Sequence, residues 1–308
     1  MTGPLTRTMR TGEIDLVNTL QMIGIYGSDP TFRKGRGHFS KAVLTPEGPG
    51  TLRLTWSGDG DVRAEAWGVG AAWLLDRAPY WVGSNDELDG FDPTHNTRIA
   101  ELWRRHPGLR LPASGVIWQE IALVLLGQRV TTQEAAKSWN RMCRRWGEPA
   151  PGPCELILPP RPDVIAALHY TDLHELNVER RRADAILLAA RRADRLEEAA
   201  VMPIDDAIAR LSALPGLGIW TATATTLASH GHPDTVLLRD YGMPTLVNYA
   251  FTGDATHLDP DRGGDEIMCA HLEPWRGHRQ RIIRLLYAAG IEAPRRGARL
   301  RNPDIRRL

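Results

Sequence analysis

The hydrophobic period of this chain changes once, near residue 96, and that change limits the fold more than any other feature. Before it, His38–Thr45 (HFSKAVLT), Thr51–Ser57 (TLRLTWS) and Val62–Trp67 (VRAEAW) alternate apolar and polar residues, as half-buried strands do. PEGPG at 46–50 and GDGD at 58–61 lie between them and fit hairpin turns. Asp15–Met22 reads as a further strand. After the change the period is helical. Thr97–Arg105 is short and charged, and Val116–Gly127 is apolar nearly all round, as a buried central helix would be. Thr131–Trp146 opens on Thr131, Thr132 and Glu134, a helix-capping set. GEPAPGP (147–153) is a loop. Glu179–Ala200 reads as one long helix with Ala183, Ile186, Leu187, Ala190 and Leu196 inward. Pro203 is placed as the first residue of the next helix.

Strands followed by helices exclude a βαβ chain. The expected class is α+β: a small antiparallel β-sheet domain over residues 1–95, an all-helical body over 96–290 and a basic tail over 291–308, with the boundary falling within 92–112. A chain of 308 residues can bury a sizeable core. No apolar run approaches the ~18–20 residues of a membrane helix, and the first residues lack the apolar segment of a signal peptide. Three cysteines, Cys143, Cys154 and Cys269, point to free thiols in a reducing compartment and are too few for a usual iron–sulfur cluster. His230, His232 and His271 have no metal-ligand spacing.

The net charge is +1 and says nothing about partners. Its distribution does. Residues 276–308 carry ten arginines against Glu292 and Asp304. Such a run is either an electrostatic contact or a solvated helix face with a basic tail.

The informative stretch is 205–241, DDAIARLSALPGLGIWTATATTLASHGHPDTVLLRDY. A short amphipathic helix, Asp205–Ala213, runs into LPGLG (214–218), and a second helix, Ile219–Ser229, follows at once. Pro215 ends the first helix. Gly216 and Gly218 permit positive φ and close approach of another backbone. The free amides and dipole at the start of the second helix make an anion site. Taken alone, such a turn is more often merely tight.

Leu214-Pro215-Gly216-Leu217-Gly218-Ile219-Trp220-Thr221-Ala222, then Asp240-Tyr241, then Glu273-Pro274-Trp275-Arg276 resemble the signature of the helix-hairpin-helix DNA glycosylases, bacterial 3-methyladenine-DNA glycosylase II type. GLRLP (108–112) and LLGQRVTTQEAAKSW (125–139) are similar to that family's entry into its central helices. The resemblance spans roughly residues 15–290 and is most specific over 214–241 and 273–287.

The resemblance implies an enzyme that flips a damaged base, an alkylated purine such as 3-methyladenine or 7-methylguanine, from double-stranded DNA and hydrolyses its N-glycosidic bond. Asp240 would be the catalytic carboxylate, stabilising the oxocarbenium-like sugar and orienting water. Read without the family, Asp240 is a helix cap. One carboxylate cannot serve both roles in full. Lyase relatives need an amine where this chain has Trp220, so a monofunctional glycosylase is implied. Trp220 would face a cationic base, unless it packs the hairpin. Tyr241, Trp118 and Gln128 lie near the family's pocket, Trp118 reading better as core. Leu214, Gly216, Leu217, Gly218, Ile219, Thr221, Arg129 and Arg276 are the implied DNA contacts. Leu214, Gly216 and Leu217 could offer carbonyls to a K⁺ or Na⁺ ion, with no other cofactor. A monomer without membrane contact, in the cytoplasm at the nucleoid, is expected.

Two departures stand out. Arg129 occupies the position of the family's leucine wedge. Arg284 occupies that of a second pocket aromatic, which puts the lesion preference in question. The rival readings are a non-catalytic DNA-binding module and a glycosylase for oxidised or deaminated bases.

Overall fold

The computed structural model describes residues 3–21, 23, 29–57 and 60–294; the expected basic run Arg295–Leu308 lies outside them. Five antiparallel strands form one sheet in the order β1-β5-β4-β3-β2: β1 Leu5–Arg10, β2 Phe32–Gly35, β3 His38–Thr45, β4 Gly48–Trp56 and β5 Asp61–Gly68. The three alternating segments are the three inner strands. The turn after β3 is tighter than expected. Thr45 pairs with Gly48, so only Pro46 and Glu47 connect the strands. The edge strands escaped the sequence reading because β1 buries only Met9 and β2 only Phe32, which leaves no alternation to detect.

Asp15–Met22 is not a strand. Residues Leu16–Gln21 form helix α1. Leu16, Thr19 and Leu20 are its buried residues, a one-face helical spacing, and Asp15 Oδ1 accepts the Asn18 amide at 3.1 Å. α2 (Ala71–Trp81) covers one face of the sheet. Leu74, Ala78 and Trp81 meet Phe39, Leu52, Leu54 and Val62 there, all fully buried.

The helical part comprises α3 (Thr97–Arg105), α4 (Trp118–Gly127), α5 (Thr132–Trp146), α6 (Pro162–Ala166), α7 (Tyr170–His174), α8 (Arg180–Arg191), α9 (Ala193–Glu197), α10 (Ile204–Ser212), α11 (Ile219–His230), α12 (Met243–Thr252), α13 (Gly264–Leu272) and α14 (Arg279–Ala288). Thr131 caps α5 through a reciprocal box with Glu134. The expected long helix 179–200 is broken. Arg192 adopts φ −118° between α8 and α9, and a 3₁₀ turn follows over Glu198–Val201. The break keeps Ala193 and Leu196 in the core. It also brings Glu197 to the start of α4, where its two oxygens accept the Ile117 and Trp118 amides, each at 2.9 Å. A continuous helix was the wrong reading because tertiary capping outweighs local propensity here. Pro203 is the cap of α10 rather than its first residue.

Two helical cores meet at α11. Leu217 and Ala222 belong to the core built on α4, α5 and α8. Trp220, Ala224 and Leu227 pack on the other, built from α3, α12, α13 and α14. Two arginines pin the start of α14. Arg281, fully buried, forms a two-pronged pair with Asp86 at 2.6 and 2.7 Å. Arg279 binds Asp234.

Candidate active site

The turn between α10 and α11 closes on itself, with the Leu217 amide donating to the Leu214 carbonyl at 3.0 Å. Gly216 has φ +88°, and a Cβ there would stand 2.8 Å from the Ala185 Cβ on α8. Gly218 differs from expectation. Its backbone is extended (φ −65°, ψ 174°) and a Cβ would meet nothing within 4 Å, so it needs no left-handed geometry. It caps α11 without a side-chain acceptor. Gly216, Gly218 and Ile219 are exposed, whereas Leu217 and Thr221 are buried. The first amides of α11 therefore face solvent without an internal acceptor from the cap residue, an arrangement that favours an anion. Leu217 and Thr221, expected among the DNA contacts, have buried side chains: Leu217 anchors the turn in the core, and Thr221 Oγ1 accepts from Gln128 Nε2 at 2.7 Å.

Gln128 is the tie between α4 and the turn, since the same nitrogen also donates to the Gly216 carbonyl at 3.3 Å. The Leu214 and Gly216 carbonyls each accept one of these bonds, and a carbonyl carries two lone pairs. That donor set still fits a monovalent cation. Gly216→Ala combines a left-handed residue, costing roughly 1–2 kcal/mol, with the clash on Ala185. Chemical denaturation should show a loss of at least that size, and an unchanged midpoint would contradict the packing described.

Asp240 is half-buried and held by three donors. Its Oδ1 accepts the Gly242 and Met243 amides, both at 2.9 Å. Its Oδ2 accepts the Trp220 indole N–H at 3.1 Å. The alternatives read from sequence are thus divided between the two oxygens. Oδ1 holds the turn into α12, whose cap residue is Gly242 rather than Asp240 as expected, and Oδ2 turns to α11. A carboxylate has about four acceptor positions, so Oδ2 retains one. The preceding residue, Arg239, has φ +60°, uncommon for a side-chain-bearing residue. Its amide donates to Asp265 Oδ2 and its Nε to Asp261 Oδ1, which fixes the bend that aims Asp240.

Tyr241 is 70% exposed and lies over His257, ring centroids 4.4 Å apart. Ile219, Leu238 and Tyr287 are also exposed apolar side chains. Tyr287 was missed by the sequence reading, which looked only at Arg284 one turn before it. Its hydroxyl reaches Met243 Sδ at 3.9 Å. Burial of that end, then the charge of Asp240, raise the phenol above its ordinary value, while Arg284 opposes them.

The remaining expected residues divide. Trp118 is buried, its indole N–H bound to the Pro160 carbonyl at 2.8 Å, and packs in the core. Arg129, exposed in the loop after α4, has φ +56°. Backbone strain of this kind clusters at functional sites. Arg276 is bound to Glu273 by two nitrogens. With Arg279 and Arg281 also paired, three of the four described arginines of the run are committed to intramolecular carboxylates. Among the described residues no group of three or more His, Cys, Asp or Glu could hold a metal ion, and no helix is long and apolar enough to cross a membrane.

No protein-family model matches the chain. It is 32% identical over 162 residues to DNA-3-methyladenine glycosylase 2 of Escherichia coli (strain K12), a match covering 51% of this chain and 55% of that relative. The chain thus spans just over half the length of this curated relative. Its fold is similar to that of 3-methyladenine DNA-glycosylase from Archaeoglobus fulgidus, with a TM-score of 0.74 at 16% identity, covering 92% of this chain and 98% of the other. It is also similar to the apo form of an 8-oxoguanine glycosylase/lyase from Clostridium acetobutylicum, with a TM-score of 0.67 at 11% identity over 94% and 96% of the two chains.

Proposed function

We propose that this chain, which has the fold of the helix-hairpin-helix DNA glycosylases and a sequence similar to the 3-methyladenine type, is a monofunctional base-excision glycosylase for alkylated purines. The observation that carries the reading is the Asp240 carboxylate, three of its acceptor positions filled from α11 and α12 and one left, beside the uncapped start of α11.

In this reading the strand's phosphate meets the amides around Gly218 and Ile219, a contact blind to sequence. K⁺ or Na⁺ would sit on the Leu214, Gly216 and Leu217 carbonyls. Arg129, presented by a strained loop, fills the gap left by the extruded nucleotide, where a guanidinium can stack on bases. The free lone pair of Oδ2 faces the sugar as positive charge develops and orients the attacking water. Trp220 has no amine, so it forms no Schiff base and the product is an abasic site. Its indole N–H is committed to Asp240, which leaves only the ring face for a base.

Purified protein on an N-methylated duplex should release free methylpurine without nicking the strand. Strand scission at the lesion would refute the monofunctional assignment, and binding with no release from any lesion would favour a non-catalytic module. Affinity should also fall steeply with salt, by about 0.9 in log K per log salt for each phosphate engaged. A flat response would remove the phosphate grip.

A further inference from the structure

Two unfavourable features meet at the residue before Asp240. Arg239 lies in the left-handed region, φ +60°, which glycine enters freely and a residue with a Cβ does not. Such a conformation persists only where its surroundings over-determine it. The partner that does so is Asp265, in the first turn of α13. Its Oδ2 accepts the Arg239 amide at 2.8 Å. Its Oδ1 is buried without a hydrogen-bond partner, a state that is destabilising and uncommon in folded proteins. A carboxyl kept with one oxygen unsatisfied is poorly explained by stability alone. The Arg239 side chain adds only a contact to Asp261, between two largely exposed groups and so worth little. The bond to the backbone amide is what holds the bend.

Resting on the glycosylase reading above, we infer that Asp265 is a positioning residue, which by binding the Arg239 amide keeps residue 239 left-handed and so aims the Asp240 carboxylate at the sugar. Asp265 itself touches no reacting atom. Rotation about the Arg239 backbone carries the Asp240 peptide with it. The donors that hold the Asp240 side chain, Gly242, Met243 and Trp220, do not bond to residue 239. Without Asp265, Arg239 relaxes toward the ordinary backbone regions, and the aimed conformer is depopulated by the cost of the left-handed state. Glycine at 239 carries no such cost and makes the bond to Asp265 dispensable.

The test is single-turnover release of a methylated purine from duplex DNA at saturating protein. It compares the intact chain, Asp265→Ala, Asp265→Asn, Arg239→Gly and the double variant Arg239→Gly with Asp265→Ala. Asp265→Ala should slow release about 5–30-fold, the range set by the left-handed cost, with duplex affinity unchanged. Asp265→Asn keeps an oxygen for the amide and should recover most of the rate. In the Arg239→Gly background, Asp265→Ala should cost less than about twofold. Thermal unfolding reports whether each variant is folded. A loss equally large in both backgrounds overturns the assignment while the glycosylase reading stands. So does an Asp265→Asn chain as slow as Asp265→Ala, or Asp265→Ala at the intact rate. An Arg239→Gly chain that releases no base overturns it too, because the side chain and not the conformation would then matter. No release by the intact chain overturns the glycosylase reading, and this assignment with it.

Discussion

Asp240→Asn is expected to slow base release by roughly 10²–10⁴-fold while leaving duplex affinity nearly intact. This substitution keeps the backbone contacts that lead into α12. Asn retains an oxygen able to accept the Gly242 and Met243 amides, so α12 should stay in place. What it lacks is the negative charge facing the sugar and the Oδ2 acceptor of the Trp220 indole N–H, which its amide nitrogen would meet donor to donor. Asp240→Ala removes the amide contacts as well and should add about 1 kcal/mol of destabilisation. The comparison separates chemistry from scaffolding. Two variants that are equally slow, with only the Ala form less stable, agree with the division of labour between the two oxygens. An Asn variant that releases base at the intact rate would exclude Asp240 from the reaction.

The second large effect concerns stability. Arg281→Met should cost about 3–5 kcal/mol, because it strands Asp86 without its partner in a buried site. Both members are buried, Arg281 completely. Arg281 also donates to the Glu87 carbonyl at 2.9 Å, so that acceptor is orphaned too. The double replacement Arg281→Met with Asp86→Leu should recover much of the loss, since an apolar pair of similar volume often matches a buried ion pair. Urea unfolding of the three proteins measures this. A single-variant loss below ~1 kcal/mol would mean that water reaches the pair.

How far the sequence announced this molecule depended on where its constraints were local. The three inner strands carry period-two alternation because each has one buried face, and they were legible. β1 and β2 bury one residue each and left no such trace. The break at Arg192 was invisible because its cause, Glu197 capping α4, joins residues some eighty positions apart in sequence. At the site, the hairpin and Asp240 were readable from their motif. The split of the Asp240 oxygens was not, nor was Tyr287, which matters only because α14 lies against α12. The same holds for the arginine run. As a string it suggests an electrostatic partner; in three dimensions Arg276, Arg279 and Arg281 are bound to Glu273, Asp234 and Asp86.

Gln128 carries a mechanical consequence. One side-chain nitrogen holds both the Gly216 carbonyl and the Thr221 hydroxyl, and the next residue is Arg129. A push on the loop after α4 therefore reaches the hairpin through a lever one peptide long. The part that would probe the duplex and the part that would clasp its strand are geared together, so loosening one slackens the other.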